Sequence, residues 1–205
     1  MCSMRRQTAK ELTTALERAF SDSGPQAEFL LGLDHEGKVT PETAERADLV
    51  KEINRALGNA LPIGDPFLWS SLVVSKGGFN HPNGCGAREG CVPKSLVALL
   101  GSFQGGSLRY RRPAEEVIDS TSTGWWIGAD ASRPWVQARL VGSCYRVAAV
   151  LFPIRGSGGA PVLSSLGFRL PPVAAGAPAC APGRQASSAD VGSTPGGAGF
   201  ARGSF

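Results

Sequence analysis

Groups able to do chemistry are few in this sequence. Its 205 residues include only two histidines, His35 and His81, and five cysteines, Cys2, Cys85, Cys91, Cys144 and Cys180. His81 lies in Asn80-His81-Pro82-Asn83, ahead of a glycine-bearing stretch, and Cys85 and Cys91 follow four and ten residues later. By ligand type, His81, Cys85, Cys91 and the distant Cys144 could hold zinc. The spacing lacks a compact Cys-x-x-Cys knuckle, so a surface turn with two ordinary thiols is the default expectation. Arg109, Arg111 and Arg112 surround Tyr110. Such a cluster can touch phosphate, but it reads more readily as a solvated strand end. Neither Gly-x-Ser-x-Gly nor a phosphate-cradling loop ending in Gly-Lys-Ser/Thr occurs, which removes two common signatures of acyl and phosphoryl transfer.

Composition bounds the scaffold that would hold these groups. Gly (27) and Pro (15) make up about a fifth of the chain, against a combined usage of about 12% in average proteins. That argues against a helix bundle and for short strands joined by turns. With 42% hydrophobic residues, a packed core is within reach, and the length suits one domain plus a tail. The net charge of +4 comes without a Lys/Arg run, so a nucleic-acid partner is not expected. No apolar run reaches the roughly 18 residues a spanning helix needs, so no membrane association is expected. Lys10 and Glu11 interrupt the place where a secretory signal would be apolar, and irregularly spaced, odd-numbered cysteines read as reduced thiols. The expected location is therefore cytoplasmic.

The elements follow from periodicity. Leu12, Leu16, Ala19 and Phe20 share one face of a helix over residues 9–20, which Ser21-Asp22-Ser23-Gly24-Pro25 stops. A short apolar run at 29–33 ends in the turn Asp34-His35-Glu36-Gly37. A second helix is predicted over 41–57, with Thr40 as N-cap, Pro41 at the first position and Glu42 at the positive end of the dipole. Its stripe is Ala47, Val50, Ile53, Ala56 and Leu57, and Gly58 suits its stop. Strands are predicted at 67–75, 95–103, 107–111, 116–119, 124–129 and 146–154, with Gly105-Gly106 as a break or bulge. Of the pair Trp125-Trp126, one ring should be core and the other half-exposed. Residues 171–205 have few large apolar side chains and no period, and read as a disordered tail.

The succession of motifs is more informative than any one of them. His81-Pro82-Asn83 precedes Ser95-Leu-Val-Ala-Leu-Leu-Gly-Ser-Phe-Gln-Gly-Gly-Ser-Leu108; then come Trp125-Trp126, Asp130-Ala-Ser-Arg-Pro-Trp135, and Gly142 with Arg146-Val-Ala-Ala-Val-Leu-Phe152. This order resembles the core of the Fe(II)/2-oxoglutarate-dependent dioxygenases, the prolyl 4-hydroxylase-like group in particular, over about residues 67–155. The helix at 41–57 is similar to the support helix that often precedes that core. The resemblance implies an α+β, mainly β fold: a double-stranded β-helix (jelly-roll, cupin-like) with N-terminal supporting helices and a disordered C-terminal tail. It divides the chain into a helix and linker at 1–39, the dioxygenase-like domain at 40–155, and a Gly/Ala/Pro/Ser-rich tail at 156–205.

The same resemblance implies Fe(II) and 2-oxoglutarate as cofactors. His81 matches the family's first histidine, and Asn83 stands where its aspartate would be. Trp135 falls where the second histidine would be. Arg146 matches the basic residue that pairs with the distal carboxylate of 2-oxoglutarate, a task suited to a guanidinium fork. The family's iron needs two imidazoles and a carboxylate. An amide is a weaker ligand than a carboxylate, an indole has no lone pair to give, and His35 precedes the core. The expectation is a weakly active or inactive dioxygenase-like domain with a small-molecule co-substrate, its protein or peptide substrate unspecified. The alternative is a non-catalytic β-rich module that binds a peptide or anionic ligand, with Trp135 and the cluster Arg109, Arg111, Arg112 at the cavity mouth.

Overall fold

The structure, a computed structural model, describes residues 2–24, 27–77, 92–110, 117–118, 124–130, 135–137, 140–154 and 159–172. Its elements run β1 (Cys2–Ser3), α1 (Arg6–Ala19), β2 (Ala27–Gly32), α2 (Pro41–Glu45), α3 (Ala47–Ala60), β3 (Ser71–Lys76), β4 (Lys94–Gly105), β5 (Leu108–Tyr110), β6 (Val117–Ile118), β7 (Trp125–Asp130), β8 (Trp135–Gln137), β9 (Leu140–Val150) and α4 (Ala160–Ser165). The described residues all belong to the unit Met1–Pro172; Val173–Phe205, with most of the expected tail, lies outside them. No helix among the described residues is long and apolar enough to cross a membrane.

The fold is mainly β. Six strands pair antiparallel in the order β1-β7-β4-β9-β3-β2, and three more in the order β6-β5-β8. The central strands are uninterrupted runs of buried residues: 71–75 on β3, 95–100 on β4 and 144–150 on β9. A strand with one face in water alternates polar and apolar side chains; one covered on both faces does not. The large sheet is thus buried on both sides in its middle, and its sequence shows it.

One face of this sheet meets the helices. Phe29, Val74, Val147, Ala98 and Trp126 stand in successive registers on that face. Phe20, the residue that closes α1, stacks on Phe29 at 4.5 Å and lies 5.8 Å from Tyr145. Helix α1 turns Leu12, Ala15 and Leu16 inward and packs on α3 and β4. Trp126 is fully buried while Trp125 is 40% exposed, the division expected of that pair.

Tyr145 gives this face a pH signature. Burial, and then the negative charge of Glu17, push its phenol above the ordinary value of 10.0. A group whose folded value is raised contributes stability that is full below the unfolded value and lost as pH rises through the folded one. In an alkaline titration followed by phenolate absorbance, Tyr145 should therefore ionise above pH 10, with stability falling across the same range. Tyr145→Phe should remove that part of the alkaline loss; an unchanged stability profile in the variant would contradict the assignment.

Several expectations are corrected. The helix predicted over 41–57 is two helices broken at Arg46, which has φ −117° and ψ 30°. There the guanidinium of Arg46 lies 4.0 Å from the centre of the Phe29 ring, a cation–π contact. Helix α3 runs past Gly58 and ends before Leu61, whose extended backbone is what a following Pro62 requires. Thr40 occupies the N-cap of α2 without a side-chain cap bond; its hydroxyl donates to the Leu30 carbonyl at 2.6 Å instead. Strand β9 starts at Leu140 rather than 146, the extension being hidden in sequence by Gly142 and Ser143. Residues 159–172, assigned to the tail, carry α4 and bury Leu163, Leu166 and Phe168 in the core. Helix α4 is too short for its apolar residues to show a period.

Candidate functional site

Arg146 sits on β9, the sheet's central strand. It is in register with Ser75 on β3 and Leu99 on β4, and Ser75 is in register with Glu28 on β2. Directly opposed residues of an antiparallel pair project to the same face. Glu28, Ser75, Arg146 and Leu99 thus form one row across four strands, on the face turned away from Tyr145 and α1. Val73, Val97, Cys144 and Ala148 share that face and are buried.

The row is polar at three of its four positions. The Arg146 side chain is 1% exposed and that of Glu28 is 28% exposed, and Nη2 of Arg146 donates to Oε2 of Glu28 at 3.4 Å. Strands two apart are separated by roughly 10 Å, so the guanidinium reaches across β3, over Ser75, to meet the carboxylate. A buried cation is costly unless paired. Glu28 supplies negative charge from the partly exposed end of the row. Ser75 is fully buried, and its hydroxyl has no hydrogen-bond partner among the described residues.

Of the sequence-derived candidates, Arg146, Cys144 and His35 can be placed with their side chains. His81 and Asn83, together with Cys85, Cys91, Arg111 and Arg112, lie outside the described residues. Trp135 is on β8 opposite Tyr110, and Arg109 is on β5 opposite Val136 and Val117. His35 is exposed in its turn. There the Asp34 carboxylate accepts the backbone N–H groups of Glu36 and Lys38, each at 2.9 Å. These bonds, the one from Lys38 foremost, lower the Asp34 pKa. No group of three or more metal-type side chains occurs among the described residues. Glu28 and Ser75 were not identified from sequence. Their signals were a carboxylate just ahead of an apolar strand and a lone hydroxyl inside an unbroken apolar run.

No protein-family model matches the chain, and no curated protein matches it by sequence. Among solved structures, the chain is similar to NgTET1 in complex with 5mC DNA, with a TM-score of 0.50 and 12% identity over 73% of this chain and 68% of that one. It is also similar to an oxidoreductase of the 2OG-Fe(II) oxygenase family from Burkholderia pseudomallei (TM-score 0.40, 13% identity, 67% of this chain and 77% of that one). A prolyl-4-hydroxylase from Pseudomonas putida gives a TM-score of 0.39 and 16% identity over 76% of this chain and 91% of that one. The likeness to NgTET1 is one of fold.

Proposed function

We propose that the chain is a dioxygenase-like domain of the double-stranded β-helix type that keeps a carboxylate-binding pocket at Arg146 and has little or no oxidative activity. The observation that carries this reading is a buried arginine on β9, in the middle of the sheet, on the face turned away from the helices. Supporting the jelly roll, the chain alternates between the two sheets, from β4 to β5 and β6, to β7, to β8, to β9, as two-sheet rolls do. A sheet buried on both faces also calls for a layer opposite the helices, and β6-β5-β8 is the described candidate. Within such a roll, Arg146 would line the interior and pair with the distal carboxylate of 2-oxoglutarate through its fork.

The metal is the point at which the residues do not fit. The positions aligned with the family's ligands hold His81, Asn83 and Trp135, one imidazole, one amide and one indole in place of two imidazoles and a carboxylate. No step through Fe(II) is derived for this chain.

The test is thermal unfolding with 2-oxoglutarate and no metal. At a concentration a hundred times its dissociation constant, a ligand specific for the folded state stabilises by about 2.7 kcal/mol. In a unit of this size that is roughly 5–10 °C in Tm. The rise should disappear in Arg146→Ala and shrink strongly in Arg146→Lys, each compared with its own unliganded state. Turnover of 2-oxoglutarate with added Fe(II) should be no higher in the parent chain than in His81→Ala. No rise in Tm would instead favour the plain binding module for a peptide or anionic ligand.

A further inference from the structure

Strand β2 ends the large sheet. Its register with β3 continues to Leu33, whose N–H donates to the Ser70 carbonyl at 3.1 Å. Alternate residues of a paired strand turn their N–H and C=O groups to opposite sides, so Glu28, Leu30 and Gly32 turn theirs to the outer edge. The segment Ala27-Glu28-Phe29-Leu30-Leu31-Gly32 has no proline or lysine and a single charge, Glu28, so the usual sequence guards of an edge are missing. A pair of threonines stands there instead. Helix α2 begins with Pro41, and its first turn sets Thr40 and Thr43 three positions apart on one side. Both are buried. The Gly32 N–H donates to Oγ1 of Thr43 at 2.6 Å, and Oγ1 of Thr40 donates to the Leu30 carbonyl at 2.6 Å. The two hydroxyls are 2.8 Å apart. Because the Thr40 proton is committed to Leu30, Thr43 donates the middle bond. The Thr40 N–H donates to the Gly32 carbonyl at 2.9 Å. Three outward groups of β2, the C=O of Leu30 and the N–H and C=O of Gly32, are thus met by the start of a helix rather than by a strand.

We propose that Thr40 and Thr43 form a hydroxyl clip that stands in for a missing strand and keeps the edge of β2 from pairing with β2 of a second copy of this chain. The inference is independent of the pocket at Arg146. Antiparallel pairing of two β2 edges about a two-fold axis at Leu30 would set Leu30 opposite Leu30 and Glu28 opposite Gly32. The ladder so formed needs the Leu30 carbonyl and both backbone groups of Gly32, and the clip already holds them. Bonds in a chain polarise one another, and burial keeps water from competing for them. A threonine that served only its own helix would bond an N–H of the first helical turn. Thr40 makes no such bond, and both hydroxyls are turned to β2.

The experiment is sedimentation of the full chain over a range of concentrations, comparing the parent with Thr40→Val, the double variant Thr40→Val/Thr43→Val, and Thr40→Ser/Thr43→Ser. Valine keeps the shape of threonine and removes its hydroxyl; serine keeps the hydroxyl. Self-association should tighten about tenfold or more in the double valine variant, because a two-fold contact repeats each released bond. Thr40→Val, which frees only the Leu30 carbonyl, should tighten it less, and the serine variant should behave as the parent. Amide hydrogen exchange locates the contact: the Leu30 N–H, which points to that edge, should exchange more slowly as concentration rises in the valine variants and not in the parent. Valine variants that lose Tm yet associate no more than the parent would reduce the threonines to anchors of α2 and overturn the proposal. So would association that leaves Leu30 exchange unchanged, since the contact would then lie elsewhere. Failure of Thr40→Val itself to fold would assign the hydroxyls to folding and likewise overturn it.

Discussion

Replacing Asn54 by alanine should cost about 2–4 kcal/mol and lower Tm by roughly 5–15 °C. Asn54 lies on α3 and is 3% exposed. Its Oδ1 accepts the indole N–H of Trp69 at 2.7 Å, and its Nδ2 donates to the carbonyl of Leu166 at 2.8 Å. Both partners are themselves buried. Truncating the amide orphans a donor and an acceptor in apolar surroundings, each worth about 1–3 kcal/mol when left unmet. The two bonds join α3, the strand entry at Trp69 and the end of α4, which are distant in sequence. Urea and thermal unfolding of Asn54→Ala measure the effect. A loss under about 0.5 kcal/mol would show that the network is not what fastens α4.

The second large effect is expected at Gly142. In the β4–β9 ladder, which runs from Leu96↔Ala149 to Gly105↔Leu140, Gly142 faces Phe103 and Gly101 faces Cys144. Both have positive φ, +106° and +109°, conformations other residues rarely adopt. A Cβ on Gly142 would fall 2.3 Å from the Ser102 carbonyl oxygen, and one on Gly101 would fall 2.3 Å from that of Ser143. The obstacle in each case is backbone of the paired strand, which cannot rotate away. Gly142→Ala should therefore destabilise by about 3 kcal/mol or more, strain of 1–3 kcal/mol being joined by steric overlap. Gly58→Ala is the control: it is helical with open space around it, and should be stabilising by about 0.5–1 kcal/mol. A small effect at Gly142 would mean that β4 and β9 do not approach as closely as described.

What could be read from the sequence follows the physics of each signal. The apolar runs on β3, β4 and β9 were visible because burial on two faces removes alternation, and α1 because its stripe, Leu12 to Phe20, repeats over about two turns. Arg146 was singled out through the order of motifs, and the structure places it buried on β9. The break at Arg46 could not be read, because the apolar stripe continues across it and the contact of Arg46 with Phe29 is made to a strand seventeen positions earlier. Helix α4 was missed because three apolar residues in a glycine- and alanine-rich stretch carry no period. Ser75 and Glu28 were missed for a related reason: each is unremarkable in its own segment, and only the registers β2–β3 and β3–β9 set them in line with Arg146.

The sheet order also sets the sequence of events when the chain is made. Strand β9, the last strand of the large sheet to emerge, is the one that joins its two halves, with β3 and β2 on one side and β4, β7 and β1 on the other. A nascent chain that has not reached residue 140 holds two separate ribbons, each with an apolar edge and no strand to close it. Closure needs pairings that span from 35 residues (Gly105↔Leu140) to 79 residues (Ser71↔Val150), which makes assembly slow and leaves those edges open to neighbouring chains in the interval. The polar row is finished in the same late step, because Arg146 joins Ser75 and Glu28 in register only when β9 pairs with β3.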